Sequence, residues 1–304
     1  MTYKAAIAGL NLGGGKAVII GDSKTRKTEN LFRSFGRFVE GLGGRYITAE
    51  DVGTNIRDME QVRIETDYVT GISQALGGSG DPSPVTAYGV FVGIKASVKE
   101  RLNRTELDGL KVSVQGLGHV GMYLCEYLHK EGAELFVTDI DQSLMGQAVD
   151  NFSATPVEPD AIYEVDVDVY APCALGATVN PDIIDKLKCT IISGSANNQL
   201  IENNFGMELK KRNILYAPDY AINAGGLINV SNELEGYNRE RAFSQAEGIY
   251  DTLMEIFHCS NKEEISTNEA SDRQAEDRIK KIGELKSLDR KSTRLNSSHV
   301  VISY

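Results

Sequence analysis

Residues 110–121 constrain the fold of this chain more than any other segment. A short apolar run, residues 110–115, leads directly into Gly116-Leu117-Gly118-His119-Val120-Gly121, and an apolar helical pattern follows. In a strand–turn–helix unit, the first glycine of G-x-G-x-x-G permits a tight turn. The second lets the backbone approach a pyrophosphate, and the third lets the helix pack on the strand. We therefore predict that this loop binds a dinucleotide, with its phosphates at the helix N-terminus.

Asp139 strengthens this prediction. It stands eighteen residues after Gly121, at the end of the next apolar run, residues 135–138. A carboxylate in that position can accept hydrogen bonds from an adenosine ribose diol and repels a 2′-phosphate, which favours NAD over NADP. The alternative is a glycine turn in a flavodoxin-like or nucleotide-independent fold, with Asp139 as an ordinary turn residue.

Apolar, β-branched runs recur along the chain and alternate with helical stretches. They occupy residues 16–20, 112–114, 135–138, 167–170 and 190–192. Runs that are apolar on both faces are typical of parallel strands covered by helices, so we predict an α/β fold with a Rossmann-type doubly wound sheet.

The domain limits follow from composition. The Gly- and Pro-rich segment 71–84 predicts an interdomain hinge, and a helix is expected to follow from Val85 to Leu102. An amphipathic pattern begins after Asn238. We predict a substrate domain at 1–84, a NAD-binding domain at 85–238 and a C-terminal helical return at 239–288. Residues 289–304 resemble the translated read-through of a sequencing adapter, and we leave this tail out of the fold.

Overall composition excludes several classes of function. The 43 acidic and 32 basic residues leave a net charge of -11, which disfavours nucleic-acid binding. No apolar run approaches the ~18 residues of a membrane-spanning helix. The four cysteines form no C-x-x-C pair, and no apolar leader precedes the first strand, so we expect a reduced, cytoplasmic protein without a metal site.

A second glycine cluster, Gly13-Gly14-Gly15, stands immediately before Lys16. Consecutive glycines lose much backbone entropy on folding, and their usual purpose is close approach to a ligand. A lysine on such a loop, partly desolvated and near a second lysine, would be suited to act as a base. The alternative is a glycine hairpin with a solvated lysine, and the spacing alone leaves both open.

Seven motifs, in order, carry a resemblance to a known family. They are residues 1–4 (MTYK), 9–16 (GLNLGGGK), 46–54 (YITAEDVGT), 80–86 (GDPSPVT), 171–176 (APCALG), 194–199 (GSANNQ) and 218–226 (PDYAINAGG). With them, residues 1 to about 288 resemble the amino-acid dehydrogenases related to glutamate dehydrogenase, and most closely the members that act on leucine. The resemblance implies reversible, NAD-dependent oxidative deamination of leucine, valine or isoleucine to the 2-oxo acid and ammonia.

The resemblance also implies roles for matching residues. Lys4 would pair with the substrate carboxylate, and Lys16 would activate the water that attacks the imino acid. Asp51 would carry the proton to and from nitrogen. Loss of ammonia from a carbinolamine needs a proton donor at nitrogen and an acceptor at oxygen, held on opposite sides. A buried structural Lys–Asp pair is the alternative for Lys16 and Asp51.

Further residues match the positions that line the cofactor and the substrate side chain. For the nicotinamide and its ribose they are Thr86, Cys173, Ala174, Ser195, Ala196 and Asn197, with Asn197 also reaching the substrate. For the aliphatic side chain they are Ala49, Leu227 and Val230. Read without the resemblance, Thr86 is a helix cap and residues 195–198 are a polar turn.

The chain also departs from the family pattern. Family chains begin well upstream of this Met1, so we expect an incomplete α/β substrate domain. The intact parent is expected to be a homo-oligomer that takes a small amino-acid or 2-oxo-acid substrate and binds neither nucleic acid nor membrane. Two alternatives stay open: a valine or phenylalanine dehydrogenase, and a catalytically inactive NAD-binding fragment.

Overall fold

The computed structural model describes residues 1–174 and 176–297, with side chains through residue 285. Within these residues, six parallel strands form one sheet. They are β1 (Lys111–Gln115), β2 (Glu134–Thr138), β3 (Thr155–Pro156), β4 (Val169–Pro172), β5 (Ile191–Ile192) and β6 (Leu215–Tyr216). Their order is β3-β2-β1-β4-β5-β6, the order of a Rossmann sheet, which confirms the predicted doubly wound α/β fold.

The middle residues of the central strands β1 and β4 are buried, and the register of the sheet places them opposite one another. Val112 of β1 pairs with Leu135 of β2 on one side and with Val169 of β4 on the other. Val112 and Val169 are inaccessible to solvent, as expected for a parallel sheet covered on both faces. The strand order reverses between β1 and β4, so a crevice opens there at the carboxyl ends of the strands.

Helices surround this sheet and extend to both ends of the described chain. They are α1 (Thr2–Ile7), α2 (Glu29–Gly41), α3 (Ile56–Arg63), α4 (Ser83–Leu102), α5 (His119–Lys130), α6 (Gln142–Phe152), α7 (Phe205–Lys211), α8 (Asp219–Ile222), α9 (Gly225–Ser231), α10 (Arg239–Glu247), α11 (Ile249–Glu263) and α12 (Thr267–Ser297).

Helix α4 lies at the centre of the larger hydrophobic core and packs against α5, α9, α10 and α11. Two glycines allow this close packing. A Cβ at Gly89 would lie 2.7 Å from Ile249 Cδ1, and one at Gly93 would lie 2.5 Å from Ile222 Cγ1. The predicted helix at 85–102 is thus confirmed, and it is buried on all sides rather than amphipathic.

The first unit has a small core of its own, formed by Phe32, Met59, Val62, Val69 and Ile72. Helices α2 and α3 contribute to it, and one bridge pairs Thr48 with Val69. Helix α1 packs elsewhere, against α12 and α8, and its Ile7 belongs to the larger core. The division at residue 84 stays a prediction, and α1 is joined to the second unit by its packing.

The predicted strand at residues 16–20 is wrong. These residues are in no strand or helix, and the side chains of Val18 and Ile20 are exposed. A β-branched run forms a strand only where a neighbour supplies hydrogen bonds and covers one face. Within the described residues, no strand pairs with this run.

The C-terminal part is helical, as the pattern after Asn238 predicted. Asn238 Oδ1 accepts the N–H of Arg241 at 2.8 Å and so caps α10. Helix α12 continues to Ser297, into the segment 289–304 that the sequence set apart, and residues 298–304 lie outside the described residues. A search of the described helices finds none that is both long and apolar enough to cross a bilayer.

The glycine contacts predict opposite outcomes for two substitutions. At Gly225 a Cβ would lie 2.4 Å from the carbonyl oxygen of Val85, a backbone atom that cannot move aside, so Gly225→Ala should lower the free energy of unfolding by ~1–3 kcal/mol. Gly146, within α6, has no atom within 4 Å of its Cβ position. Gly146→Ala is the matched control and should raise stability by up to ~1 kcal/mol. The midpoint of urea denaturation measures the change in stability of each variant. Midpoint shifts of equal size and the same sign in Gly225→Ala and Gly146→Ala would contradict the packing argument.

Candidate active site

The glycine loop joins the end of β1 to the start of α5 at the reversal of strand order. Gly116 has a φ of +98°, and a Cβ there would lie 2.8 Å from the backbone nitrogen of Ala174. A Cβ at Gly121 would lie 2.0 Å from the carbonyl oxygen of Gly116. Gly118 has open space at its Cβ position and precedes α5, whose first turn has no side-chain cap. This arrangement fits a phosphate group next to Gly118.

The other loop residues differ in what they offer. The side chain of Leu117 is buried in the core and Val120 packs against it, so only their backbone groups could meet a ligand. His119 is exposed, and its Nδ1 lies 3.7 Å from Asp81 Oδ2. His119 therefore links the start of α5 to the segment between the two units.

Asp139 lies beside the glycine loop, at the end of β2. Its Oδ2 accepts the N–H of Leu117 at 2.5 Å, and its Oδ1 accepts the N–H of Asp141 at 2.8 Å. The next residue, Ile140, is 95% exposed although it is β-branched and apolar. The sequence reasoning missed Ile140, which offers an apolar surface next to the carboxylate that could cover a planar base.

A third group of residues follows β4 and β5. Burial raises the pKa of the Cys173 thiol, and hydrogen bonds with Ser195 partly oppose that rise, so the two side chains are neighbours. Asn223 Nδ2 donates to Ser195 O at 2.9 Å and to Asn197 Oδ1 at 2.8 Å. Ala196 is buried, and its N–H is bonded to Pro172 O at 2.9 Å.

Asn223 is a residue to which the sequence gave no role. Its Oδ1 is buried and accepts no hydrogen bond from the described residues. A buried acceptor without a partner is costly in the folded protein. The motif at 218–226 contained this signal, because Asn223 follows a short run of apolar residues and precedes two glycines.

Thr86 is not a helix cap. Helix α4 begins at Ser83 with Pro82 as its N-cap, and the Thr86 hydroxyl donates to Pro82 O at 2.9 Å. A Cβ at Gly226 would lie 2.7 Å from Thr86 Oγ1. Thr86 is therefore in contact with the start of α9, the helix that carries Leu227 and Val230.

Lys16 and Asp51 come from separate loops and form an ion pair between Nζ and Oδ2. The side chains remain 57% and 50% exposed, so the alternative of a buried structural pair is wrong. An exposed ion pair contributes about 0–1 kcal/mol to stability. The ion pair therefore adds little to the stability of the fold. Proton transfer in a reaction, in contrast, requires both groups within reach of one substrate.

Lys4 is the desolvated lysine of this group. The pKa of Lys4 is lowered from 10.5 to about 8, chiefly by burial; the charge of Asp219 opposes this change and the charge of Lys16 adds to it. The sequence analysis expected partial desolvation at Lys16, whose side chain is more than half exposed. A half-buried ammonium beside a second positive charge is suited to hold an anion such as a carboxylate.

The glycine run before Lys16 serves the packing of the chain. A Cβ at Gly14 would lie 2.2 Å from the backbone nitrogen of Thr2, and one at Gly15 would lie 3.2 Å from the ring of Tyr46. These two glycines thus allow close contacts within the protein, and the expectation that the run approaches a ligand stays a prediction. The close contact at Gly14 is what brings the loop of Lys16 against α1, which carries Lys4.

Glu50 is a further carboxyl that sequence reasoning missed. Its Oε2 is buried without a hydrogen-bond partner among the described residues. Burial raises the pKa of Glu50, and the charges of Asp81 and Asp58 raise it further. Asp81 and Asp58 belong to other segments of the sequence, so only the folded chain brings their charges close to Glu50, the residue before Asp51.

The proposed side-chain pocket is divided between the two units. Leu227 and Val230 are three residues apart on α9 and therefore share a face of that helix. Ala49 follows Thr48, whose carbonyl accepts the N–H of Thr70 at 2.9 Å in the first unit. All three residues are partly buried. Among the side chains described, in residues 1–174 and 176–285, no group of three or more His, Cys, Asp or Glu could hold a metal ion.

Comparison with known families agrees with this arrangement. Residues 1–68 match the family described as Glu/Leu/Phe/Val dehydrogenase, dimerisation domain. Residues 77–145 and 136–283 match the family described as Glutamate/Leucine/Phenylalanine/Valine dehydrogenase. The boundary between the two matches falls at the glycine-rich segment.

Individual proteins give the same result. The chain is 56% identical over 279 residues to a leucine dehydrogenase of Thermoactinomyces intermedius, covering 92% of this chain and 76% of that protein. It is 55% identical over 282 residues to a leucine dehydrogenase of Bacillus subtilis (strain 168), covering 93% and 78%.

Solved structures share the fold. The crystal structure of L-tryptophan dehydrogenase from Nostoc punctiforme superposes with a TM-score of 0.81 at 48% identity, covering 92% of this chain and 80% of that one. A hetero-hexameric glutamate dehydrogenase from Thermus thermophilus superposes with a TM-score of 0.76 over 94% and 76% of the two chains, at 21% identity, and shows the fold alone. With both family matches and these identities, the chain belongs to the glutamate/leucine/phenylalanine/valine dehydrogenase family.

Proposed function

We propose that this protein is an NAD-dependent amino-acid dehydrogenase that reversibly converts a branched-chain L-amino acid to its 2-oxo acid and ammonia. The observation that carries the proposal is the grouping of Lys4, Lys16 and Asp51. These residues come from three segments and present two ammonium groups and one carboxylate together. Relatives named leucine dehydrogenase, at 54–56% identity, support the same substrate class.

The cofactor proposal rests on the glycine loop and on the residues that follow β2, β4 and β5. Gly118 leaves room for a pyrophosphate at the start of α5, and Asp139 stands where a ribose diol would be held. Thr86, Cys173, Ala174, Ser195, Ala196 and Asn197 would line the nicotinamide ribose and ring. When bound, NAD would accept the hydride from the substrate Cα.

On the substrate side, Lys4 would hold the carboxylate, and its partial burial strengthens that interaction. Lys16 would accept a proton from the attacking water and then hydrogen-bond the carbinolamine oxygen. Asp51 would donate a proton to nitrogen so that ammonia leaves. The ion pair puts Lys16 and Asp51 within reach of one tetrahedral carbon, and a substrate would have to come between them for the acceptor and the donor to lie on opposite sides.

The side-chain pocket would consist of Ala49, Leu227 and Val230, none of which carries charge. An apolar pocket suits an aliphatic side chain and gives no cation for a second carboxylate. One methylene is worth only ~1–3 kcal/mol of discrimination in such a pocket, so leucine, valine and isoleucine are all proposed substrates.

We further propose that the protein is a cytoplasmic homo-oligomer. The matched family of residues 1–68 is named a dimerisation domain. Several large apolar side chains of that region are exposed, among them Phe38 at 79% and Val52 at 98%, and a second copy could cover them. The four cysteine thiols are unpaired in the described chain, which suits a reducing compartment.

The substrate proposal is tested by following NADH absorbance with NAD and a panel of amino acids. We expect turnover with L-leucine, L-valine and L-isoleucine, and much less with L-phenylalanine and L-glutamate. Lys16→Ala should abolish turnover and leave NADH binding unchanged, because Lys16 acts on the substrate. A fully active Lys16→Ala variant would exclude the mechanism. If the wild-type protein binds NADH but turns over no amino acid, the alternative of a catalytically inactive NAD-binding fragment is favoured instead.

The nucleotide proposal predicts that loss of the Asp139 charge relaxes the preference for NAD. Asp139→Ser removes the carboxylate and its bond to the glycine loop, whereas Asp139→Asn removes the charge and keeps an acceptor for Leu117 N–H. Both should improve kcat/KM for NADP relative to NAD by about tenfold or more, since like charges at contact distance repel by more than ~1.4 kcal/mol. Unchanged discrimination in both variants would show that the ribose lies elsewhere.

The pKa of Lys4 predicts how anion binding varies with pH. A carboxylate binds the protonated amine, so affinity should be constant below pH about 8 and fall as pH rises through the pKa of Lys4. Isocaproate, which has the carboxylate and lacks an amine, separates this effect from titration of the substrate. Its dissociation constant, measured by calorimetry, should rise above pH about 8 in the wild type. Lys4→Arg should bind with a flat profile, because a guanidinium stays charged; a flat wild-type profile would contradict the assignment.

A further inference from the structure

Glu233 is given no part in the reaction above, yet its carboxylate collects three hydrogen bonds from a segment distant in sequence. Glu233 stands in the 3-10 turn Asn232–Glu235, directly after α9. Its Oε1 accepts the N–H groups of Gly71 and Ser79, each at 2.9 Å, and also the hydroxyl of Ser79. A side chain of the second unit thereby holds the connection to the first.

The segment that Glu233 holds, residues 71–80, is a closed loop. The N–H of Gly80 donates to Ile72 O at 3.0 Å. A Cβ at Gly78 would lie 2.2 Å from that same oxygen, so the two ends of the loop are side by side. Gly71 and Gly80 have φ values of +78° and +68°, which suit glycine alone without strain. Because Glu233 bonds Gly71 at one end and Ser79 at the other, it clamps the neck of the loop.

The neck is in direct contact with the part of the first unit that carries the proposed substrate residues. Ile72 lies in the core of that unit. The N–H of Thr70 donates to Thr48 O at 2.9 Å, and the Cβ position of Gly71 is 3.3 Å from the backbone nitrogen of Glu50. Residues 48–51 therefore rest on the same short strip of backbone that Glu233 holds.

We infer that Glu233 is a positioning residue that sets the spacing between the two halves of the substrate site. It fixes α9, with Leu227 and Val230, relative to Ala49 and Asp51. Hydrogen bonds to an ionised carboxylate are roughly twice as strong as neutral ones, so three on one oxygen hold the loop firmly. The inference rests on the proposed function, which assigns those four residues to one site.

Kinetics of three variants test this inference. Glu233→Ala should raise KM for L-leucine on the order of tenfold, since a displacement of about 1 Å can cost up to ~100-fold in an enzyme site. NADH affinity should stay unchanged, because the hydrogen bonds of the Glu233 carboxylate run to Gly71 and Ser79, outside the glycine loop. Glu233→Gln keeps an acceptor oxygen and should recover most of the loss. Glu235→Ala is the matched control, an exposed glutamate in the same turn, and should behave like the wild type.

A double-mutant cycle with Ser79 separates positioning from general stability. Ser79→Ala removes one donor of the clamp and should raise KM modestly in the wild type, but have no further effect when added to Glu233→Ala. The ratio of kcat/KM for leucine to that for valine should also change in Glu233→Ala, because the pocket width changes. A purely structural Glu233 would lower the unfolding midpoint and leave KM and this ratio at wild-type values, and that result overturns the inference.

An assay of the wild-type protein beside the variants shows whether the positioning role alone or the proposed function as a whole is contradicted. An active wild type with an unaltered Glu233→Ala variant contradicts the positioning role alone and leaves the proposed function standing. A wild type that binds NADH but turns over no amino acid contradicts the proposed function, and the positioning role fails with it.

Discussion

Close approach of one backbone to another, at positions that lack a Cβ, is the contact on which the rest of this structure depends. Gly116 meets the backbone of Ala174, Gly121 meets Gly116, and Gly225 meets the carbonyl of Val85. A methyl group at any of them would overlap backbone atoms, which cannot move aside as a side-chain end can. These contacts bring β1, α5, α4 and the start of α9 to the reversal of strand order, where the crevice of a doubly wound sheet opens.

The charged groups of the site depend on a similar contact in the first unit. Gly14 lies against the backbone of Thr2, so the loop of Lys16 packs on α1 and Lys4 becomes partly buried beside a second lysine. Burial of an ammonium is unfavourable by itself, and for this reason the pKa of Lys4 is lowered. A carboxylate ligand would offset it, which makes the electrostatics of the free protein complementary to the substrate class proposed for it.

Much of the fold was accessible from sequence because its signals are local. The apolar runs at 112–114, 135–138 and 167–170 needed only their own composition to be identified as strands, and G-x-G-x-x-G needed only its position between a strand and a helix. Residues 16–20 have the same composition and form no strand, because pairing depends on a neighbour that composition does not reveal. The close contact of Gly14 with residues 1 and 2 was likewise not visible in the sequence pattern, because it depends on how the chain folds back on itself.

The sequence by itself therefore determined the class of sheet and the position of the glycine loop between β1 and α5, and it supplied the proposed roles of Asp139 and, through its resemblance to a family, of Lys4, Lys16 and Asp51. Only the tertiary structure decided that Lys4 rather than Lys16 is the desolvated lysine, that Asn223 and Glu50 have buried oxygens without partners in the described part of the chain, and that Glu233 clamps the loop between the units. The reason is physical: burial, charge coupling and hydrogen-bond satisfaction are properties of neighbours in space, and those neighbours come from segments up to about 160 residues apart in this chain.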